Sequence, residues 1–389
     1  MTETLSLASS ICRKLIECPS VTPAEAGALE TLENILVASG FKVSRPVFCE
    51  DGTPDVENLF ATIGSGHPHF VFAGHTDVVP VGDKASWSHP PFSGKIVDGM
   101  MYGRGTADMK GGVAAFTAAA LSYLEQNGGP PKGTISFLIT GDEEGPAING
   151  TVKLLEWAKA QEHEFDACIV GEPTNPEMLG DTIKVGRRGS LSGKIQVHGK
   201  QGHVAYQHLA DNPIPGMLQL LSTLDAMELD KGNERFQPSN YECISVDVGN
   251  SASNIIPASI SASFNIRFND IWSVPTLQSH LVTVLTEAAP KGLEWSVSFK
   301  DQPSDSFLTH DTALIDTLSN SVEVVTGRRP ALSTGGGTSD ARFIKNYCPV
   351  VEFGLVGKTM HQVDECISVK DLDQLTEIYR DFLNNYFSS

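Results

Sequence analysis

Short apolar segments alternate with longer amphipathic or alanine-rich segments over the first half of the chain. The elements predicted there are a helix at 24–39 ended by Gly40, a strand at 69–74, a helix at 112–126, a strand at 134–140, a helix at 151–160 and a strand at 167–170. Apolar strands separated by helices are typical of a mainly parallel sheet with helices on both faces. The first half is therefore predicted to be an α/β domain.

In the middle of the chain, apolar and polar positions alternate one by one. Leu191, Gly193, Ile195 and Val197 fall on one face of a predicted strand at 190–197. The further elements are a helix at 213–227, strands at 242–248 and 259–268, a helix at 275–288 and a strand at 293–299. This βαββαβ order is that of a ferredoxin-like sandwich.

The last part of the chain returns to the first pattern. It contains a predicted helix at 313–326, a buried strand at 349–354 and a helix at 369–386. A chain of 389 residues is too long for one ordinary core. We therefore predict a discontinuous catalytic domain formed by residues 1–186 and 302–389, and an inserted ferredoxin-like lid or dimerisation domain formed by residues 187–301.

Composition excludes several classes of protein. A formal net charge of −19 argues against nucleic-acid binding, which needs a basic patch. No apolar run approaches the ~18 residues of a membrane span, and the segment Met1–Leu5 has no basic region typical of a secretory signal. The seven cysteines form no C-x-x-C pair, which favours reduced thiols in a cytoplasmic protein.

Histidines and carboxylates recur where the predicted strands end. They are His75 and Asp77, Asp108 before a helix, Glu143 and Glu144, Glu172, and His361 near the end of the chain. Ligands of α/β sheets bind beyond the carboxyl ends of the strands, so we expect these side chains to converge. Two histidines with several carboxylates and no cysteine favour a hydrolytic zinc pair over a structural zinc site.

Each of these signals has a structural alternative. His75 and Asp77 can be an unrelated pair at a strand end, and Asp108 can be an ordinary helix cap. Glu143 and Glu144 can form a solvated acidic loop, although adjacent glutamates repel each other unless a cation compensates. The metal hypothesis therefore depends on the whole set. Motifs of zincins, serine hydrolases, P-loop proteins and dinucleotide-binding proteins are absent from the sequence.

Five segments together resemble the zinc aminoacylase and exopeptidase family. They are GHTDVVP at 74–80, YGRGTADMKGG at 102–112, GDEEG at 141–145, GEPT at 171–174 and the Met-His pair at 360–361. The resemblance covers nearly the whole chain and implies amide hydrolysis with two Zn²⁺ per subunit, for which Co²⁺ or Mn²⁺ could substitute. The implied ligands are Asp108 as the bridge, His75 and Glu172 on one ion, and Glu144 and His361 on the other. Asp77 is implied to orient His75, and Glu143 to be the general base.

The same resemblance extends to the inserted domain. It implies a homodimer formed through this domain, with His203 stabilising the oxyanion from the partner subunit. The net charge and the lack of a long apolar run predict no nucleic-acid or membrane partner. Several further segments resemble the branch of the family that acts on small anionic N-succinyl amino acids. The implied substrate-binding residues are Arg187, Ser190, Asn254, Arg267, Gly336 and Thr338.

Alternatives remain for these assignments. His203 can be a plain loop histidine, Arg267 a sheet-face arginine, and one of Arg187 and Arg188 a surface charge. A sister deacylase, a peptidase or a non-catalytic binding protein are the rival functions. The family's usual His-x-x-Asn-Glu ending has Asp364 in place of asparagine, which puts only the hydrogen bonding around the ligand loop in doubt.

Overall fold

The computed structural model describes residues 5–300 and 303–388. The chain forms two compact units. The first consists of Met1–Val185, Thr309–Ser333 and Ser339–Ser389, and the second of Gly186–Leu308 and Thr334–Thr338. The chain therefore passes from the first unit to the second after Val185, and the short segment 334–338 belongs to the second unit again.

One mixed sheet organises the first unit. In spatial order its strands are Lys42–Ser44, Leu59–Gly64, Thr134–Thr140, His69–His75, Ala167–Val170, Val350–Glu352, Thr182–Lys184 and Ala331–Ser333. The pairings at the centre, from Thr134–Thr140 across to Val350–Glu352, are all parallel. Antiparallel pairings lie toward the two sides. The predicted mainly parallel sheet is confirmed.

Helices and aromatic side chains bury this sheet. The helices of the first unit are Leu7–Ile16, Ala28–Ala38, Gly111–Asn127, Thr151–Ala160, Thr312–Thr326, Ala341–Ile344 and Val369–Tyr386. Phe72 of a central strand stacks on Phe116 at 4.3 Å between ring centroids, and Tyr379 meets both rings edge-on. Such contacts fix the helices on the sheet and so fix the strand ends. Among the described residues, no helix has the length and apolar character needed to cross a bilayer.

Smaller elements surround the sheet. They are the strand pair Val47–Phe48 and Val56–Glu57, the three-stranded sheet of Lys95–Val97, Met100–Tyr102 and Cys366–Ser368, the short helix Lys84–Ser86 and the helical turn Thr106–Lys110. The sheet is important for the site because Cys366–Ser368 pairs with Met100–Tyr102. That pairing brings the end of the chain beside the segment that carries Asp108.

The second unit is built on a four-stranded antiparallel sheet. In spatial order the strands are Asn240–Asp247, Ser259–Phe268, Gly189–His198 and Glu294–Phe299, and the helices of the unit are Pro213–Asp225 and Val274–Ala288. Leu191, Ile195 and Val197 are fully buried, as their alternation predicts, and they pack in one core with leucines of both helices. Two short pairs complete the unit: Gly202–His203 with Ile255–Ile256, and Gly186–Arg187 with Phe307–Leu308.

One predicted helix begins later than expected. The segment predicted at 24–39 is helical only from Ala28 to Ala38. Gly27 has a left-handed φ of +89°, and the Glu25 carboxylate accepts hydrogen bonds from the N–H groups of Gly27 and Glu30. The side chain of Glu25 therefore caps the helix from the turn before it, in place of adding a turn to it.

Candidate metal centre

The predicted ligands of the first unit converge at one edge of its sheet. His75 ends a central strand, and its two parallel neighbours, Thr134–Thr140 and Ala167–Val170, lead directly into the loops with the acidic residues. The residues that meet there are His75, Asp77, Asp108, Glu143, Glu144, Glu172 and His361. Parallel strands place all of their carboxyl ends on one side, which brings distant segments to one site.

Asp108 lies between the two histidines. Its Oδ1 is 3.2 Å from Nε2 of His75, and its Oδ2 is 3.3 Å from Nε2 of His361. His361 Nε2 also lies 2.8 Å from Oε1 of Glu144. A carboxylate that presents one oxygen to each of two imidazoles has the arrangement required of a ligand shared by two metal ions.

On the other side of Asp108, His75 faces two further carboxylates. Its Nε2 is 3.8 Å from Glu172 Oε1 and 3.9 Å from Glu143 Oε2. Two groups bring one ligand atom per residue within 4.8 Å of one another: His75, Asp108 and Glu144, and His75, Glu143 and Glu172. The grouping differs from the predicted ligand sets, because His75 enters both groups and Glu143 lies among the candidate ligands.

The carboxylate of Asp77 lies closer to the acidic loop than to His75. The Nδ1 atom of His75 is 2.9 Å from the main-chain carbonyl of Asp77 but 3.6 Å from its carboxylate. The carboxylate instead accepts hydrogen bonds from the N–H groups of Glu143, at 3.2 Å, and Glu144, at 3.0 Å. The main chain of Asp77 therefore fixes the histidine, and its side chain fixes the loop.

Several carboxylates of this site are buried close to one another. Burial raises the pKa of Glu143 and Glu172 well above the usual range, and the charge of Asp108 raises the pKa of both further. Hydrogen bonds to Asp108 and Glu144 raise the pKa of His361 to about 10. Crowded, buried carboxylates are stabilised by a cation, and this set of oxygen and imidazole nitrogen donors fits Zn²⁺.

The Asp364 position has a local explanation. His361 and Asp364 both have left-handed φ values, of +63° and +60°. Asparagine and aspartate tolerate this conformation better than most residues do. The Asp364 carboxylate accepts hydrogen bonds from the N–H and hydroxyl groups of Ser88, at 2.8 and 2.7 Å. The aspartate side chain therefore still accepts hydrogen bonds, and it anchors the loop that carries His361 to Ser88.

The other predicted site residues belong to the second unit. His203 is exposed, and its Nδ1 atom accepts a hydrogen bond from the N–H group of Ala205 at 3.0 Å. A neutral imidazole that accepts at Nδ1 carries its proton on Nε2 and can donate there. Asn254 lies beside it, since the Asn254 carbonyl accepts from the N–H group of Val204 at 3.1 Å.

The predicted substrate-binding residues form a second group in that unit. Arg187 donates to the carbonyl of Gly337 at 3.1 Å, and a Cβ on Gly336, whose φ is +102°, would lie 2.6 Å from Arg187 Nη1. Ser190 is paired with Arg267 across two adjacent strands. Thr338 ends the short segment at 334–338 that joins this unit.

Residues outside the predicted set also support the metal centre. Asp340 is buried, its carboxylate accepts from the hydroxyl of Thr151 at 2.6 Å, and its charge contributes to the raised pKa of Glu143. Glu365 and Arg104 form a buried ion pair of 2.7 Å beneath Asp108. The sequence places Glu365 directly after the ligand loop, but only its burial distinguishes it from a surface acid.

The fold and the site define an α/β protein with a carboxylate-rich centre suited to two metal ions. The sequence model of the family described as "Peptidase family M20/M25/M40" matches residues 71–385 of the chain. The chain belongs to this family.

Individual relatives agree with that assignment. A succinyl-diaminopimelate desuccinylase of Methylorubrum populi is 58% identical over 380 residues, which cover 98% of each chain. The M20 family metallo-carboxypeptidase Sso-CP2 of Sulfolobus solfataricus superposes with a TM-score of 0.80 at 18% identity, over 99% of this chain and 100% of the other. The YXEP protein of Bacillus subtilis, a dinuclear metal-binding peptidase of the M20 family, gives 0.72 at 17% identity, over 98% of each chain.

Proposed function

We propose that this protein is a dizinc amidohydrolase that converts N-succinyl-LL-2,6-diaminopimelate to succinate and LL-2,6-diaminopimelate, a step of lysine and diaminopimelate synthesis. The observation that carries the proposal is the 58% identity to a desuccinylase, which extends over 98% of both chains. An acid-rich site within hydrogen-bonding distance of two histidines supports the same chemistry. Seven free cysteines in the described part of the chain agree with a cytoplasmic location.

In the proposed centre, Asp108 would be the ligand shared by two zinc ions. His75 and Glu172 would hold one ion, and Glu144 and His361 would hold the other. The position of Asp108, with one oxygen toward each histidine, supports this division. When bound, the ions would bring the pKa of a water to ~7 and polarise the amide carbonyl.

Glu143 is the proposed general base. It takes a proton from the attacking water and returns it to the leaving amine. Its main-chain N–H donates a hydrogen bond to the Asp77 carboxylate, which fixes the position of the Glu143 main chain beside the ligands. Its proximity to His75 makes direct metal ligation the alternative for this residue. Metal content separates the two roles, since a base can be removed without loss of an ion.

His203 is the proposed donor to the negative charge that develops on the amide oxygen. The hydrogen bond at its Nδ1 supports this role, because it leaves Nε2 as the donor atom. We further propose that His203 acts across a homodimer. The second unit, with its ferredoxin-like order of elements, would be the lid and dimerisation domain.

The proposed dimer contact is the outer strand Asn240–Asp247. It lies at the edge of its sheet, and Ile244 and Val246 are 59% and 52% exposed. An edge strand with exposed apolar side chains can pair with another chain. A second copy would cover both the main-chain groups and the apolar side chains.

The substrate is proposed to bind through cations and main-chain groups of the second unit. It carries three carboxylates, whereas the chain has a net charge of −19. Arg187 and Arg267 would bind carboxylates through their guanidinium groups. Ser190, Asn254, Gly336 and Thr338 would supply neutral hydrogen bonds.

The test compares two substrates on one preparation. Zinc-loaded protein should release succinate from N-succinyl-diaminopimelate at a far higher kcat/KM than it releases acetate from N-acetylornithine. Preference for the acetyl substrate would instead identify a sister deacylase such as acetylornithine deacetylase. Preference for unblocked dipeptides would identify a peptidase.

The variant Glu143→Ala tests whether Glu143 is the general base or a metal ligand. It should lower kcat by about 10²–10⁴-fold and leave two zinc ions bound. Unchanged turnover would exclude Glu143 as the base. Loss of one ion together with activity would make Glu143 a ligand.

A further inference from the structure

Glu365 organises the main chain that presents Asp108. Its carboxylate is fully buried, and its Oε1 atom accepts hydrogen bonds from three N–H groups. These belong to Gly105 at 3.1 Å, Ala107 at 2.8 Å and Asp108 itself at 3.2 Å. One oxygen therefore fixes three peptide groups of the turn that carries the shared carboxylate.

Arg104 connects the same carboxylate to the loop of His361. Its Nη1 atom lies 2.7 Å from Glu365 Oε2 and donates to the carbonyl of Gln362 at 3.2 Å. Its Nη2 atom donates to the carbonyl of His361 at 3.3 Å. The guanidinium also stacks over the ring of Trp87, with 5.3 Å between its carbon and the ring centroid.

The two side chains thus join segments that are distant in sequence. Asp108 and His361 lie on separate turns, and the contacts just described connect these turns to one ion pair. None of these hydrogen bonds reaches Glu144 or Glu172, but Glu144 contacts His361 directly at 2.8 Å, whereas Glu172 follows a different strand and faces His75. The pair is therefore positioned to act on one of the two ligand sets more than on the other.

We propose that Glu365 and Arg104 are positioning residues that preform the half of the metal centre made by Asp108, Glu144 and His361. The inference rests on the proposed two-ion site and is independent of the substrate. Groups that orient metal ligands without touching the metal typically change affinity by about 10–100-fold when they are altered. A pair that merely stabilised the fold would affect both ions alike.

Glu365→Gln is the primary variant. Glutamine keeps the size of the side chain, but its amide N–H₂ group must face either Arg104 or the three N–H donors, all of which need an acceptor. Arg104→Lys is the second variant. It keeps the charge and loses the planar fork that reaches the carboxylate and the carbonyls together.

Asp166→Asn serves as the control. Asp166 also accepts a main-chain hydrogen bond, from His69 at 2.6 Å, but at the amino end of the central strand. It should therefore report general effects of replacing a carboxylate that holds main chain. Its substitution should leave the affinity for both ions unchanged.

The measurement is zinc binding to metal-free full-length protein, by competition with a chromophoric chelator. We expect one ion to bind about 10–100-fold more weakly in both variants, and the other ion, which shares only Asp108 with the affected turns, to lose clearly less affinity. Visible absorption of the Co²⁺-loaded protein should change most at the more weakly bound site. Arg104→Lys decides the question if Glu365→Gln does not fold.

Other outcomes are equally clear. Two ions bound with wild-type affinity in a folded variant would overturn the inference. Equal weakening of both ions, in step with a loss of stability, would reduce the pair to a structural role and also overturn it. If the wild-type protein does not bind two zinc ions, the metal centre of the proposed function is refuted instead.

Discussion

His69 is a buried histidine whose surroundings keep it neutral. Its Nε2 atom lies 2.7 Å from the hydroxyl of Ser136. Burial and the nearby charge of His163 lower its pKa from 6.5 to about 4. The unfolded chain therefore binds a proton in the window between these values that the folded chain does not bind. Stability must fall as the pH falls through that window.

Replacing His69 should remove this part of the acid sensitivity. At pH 5 the difference in pKa corresponds to about 2 kcal/mol of lost stability. In His69→Gln, an amide still pairs with the hydroxyl but does not titrate. Urea unfolding of metal-free protein at pH 7.5 and pH 5 should give a stability difference about 2 kcal/mol smaller than in wild type. The same difference in both proteins would contradict the explanation.

At the scale of elements, the sequence predicts best what is long and buried. The strand Thr134–Thr140 and the helix Val369–Tyr386 have their predicted bounds. The first is buried along its whole length, and the second has a clear apolar face, so both patterns are strong. The sheet strands Lys42–Ser44 and Ala331–Ser333 were not predicted, because a strand of three mostly exposed residues is too short to show an alternation of apolar and polar positions.

The first turn of the helix Gly111–Asn127 lies against a strand end of the site. A Cβ on Gly112 would be 2.3 Å from the carbonyl oxygen of Gly171, the residue before Glu172. A main-chain carbonyl cannot move aside as a flexible side chain can. The glycine therefore allows the close approach of two segments that carry metal ligands.

Gly112→Ala should destabilise the protein by about 1–3 kcal/mol, because the added methyl overpacks this contact. Alanine favours helices by up to about 1 kcal/mol, which does not offset the clash. Gly337→Ala is the matched control, since a Cβ there has no atom within 4 Å; its effect should stay within about 0.5 kcal/mol. Chemical unfolding measures both, and equal stability of the two variants would refute the proposed contact.

At the scale of the molecule, the sequence predicted the centre of the first unit better than its connections to other chains. Ends of parallel strands share one edge, so His75, Glu144 and Glu172 could be grouped from strand positions alone. The role of Asp77 toward the loop could not, because it depends on main-chain geometry at 143–144. The proposed role of His203 across a dimer would depend on contacts between copies, which no pattern within one chain specifies.

Mixing two inactive variants tests whether His203 acts in trans. His203→Ala lacks the proposed donor, and Glu143→Ala lacks the proposed base. If the donor comes from the partner, each mixed dimer contains one complete site and one that lacks both groups. Random exchange of subunits should then restore about a quarter of wild-type turnover, since half of the dimers are mixed and half of their sites are complete.

If His203 acts within its own subunit, every site in the mixture lacks one group and turnover stays at the level of the single variants. Ile244→Lys in both partners provides the control, because a charge on the exposed edge strand should prevent pairing. That variant should sediment as a monomer and abolish the restored turnover. If Ile244→Lys protein stays dimeric and turnover is still restored, the dimer contact lies elsewhere, whereas restoration that depends on Ile244 would connect the edge strand to catalysis.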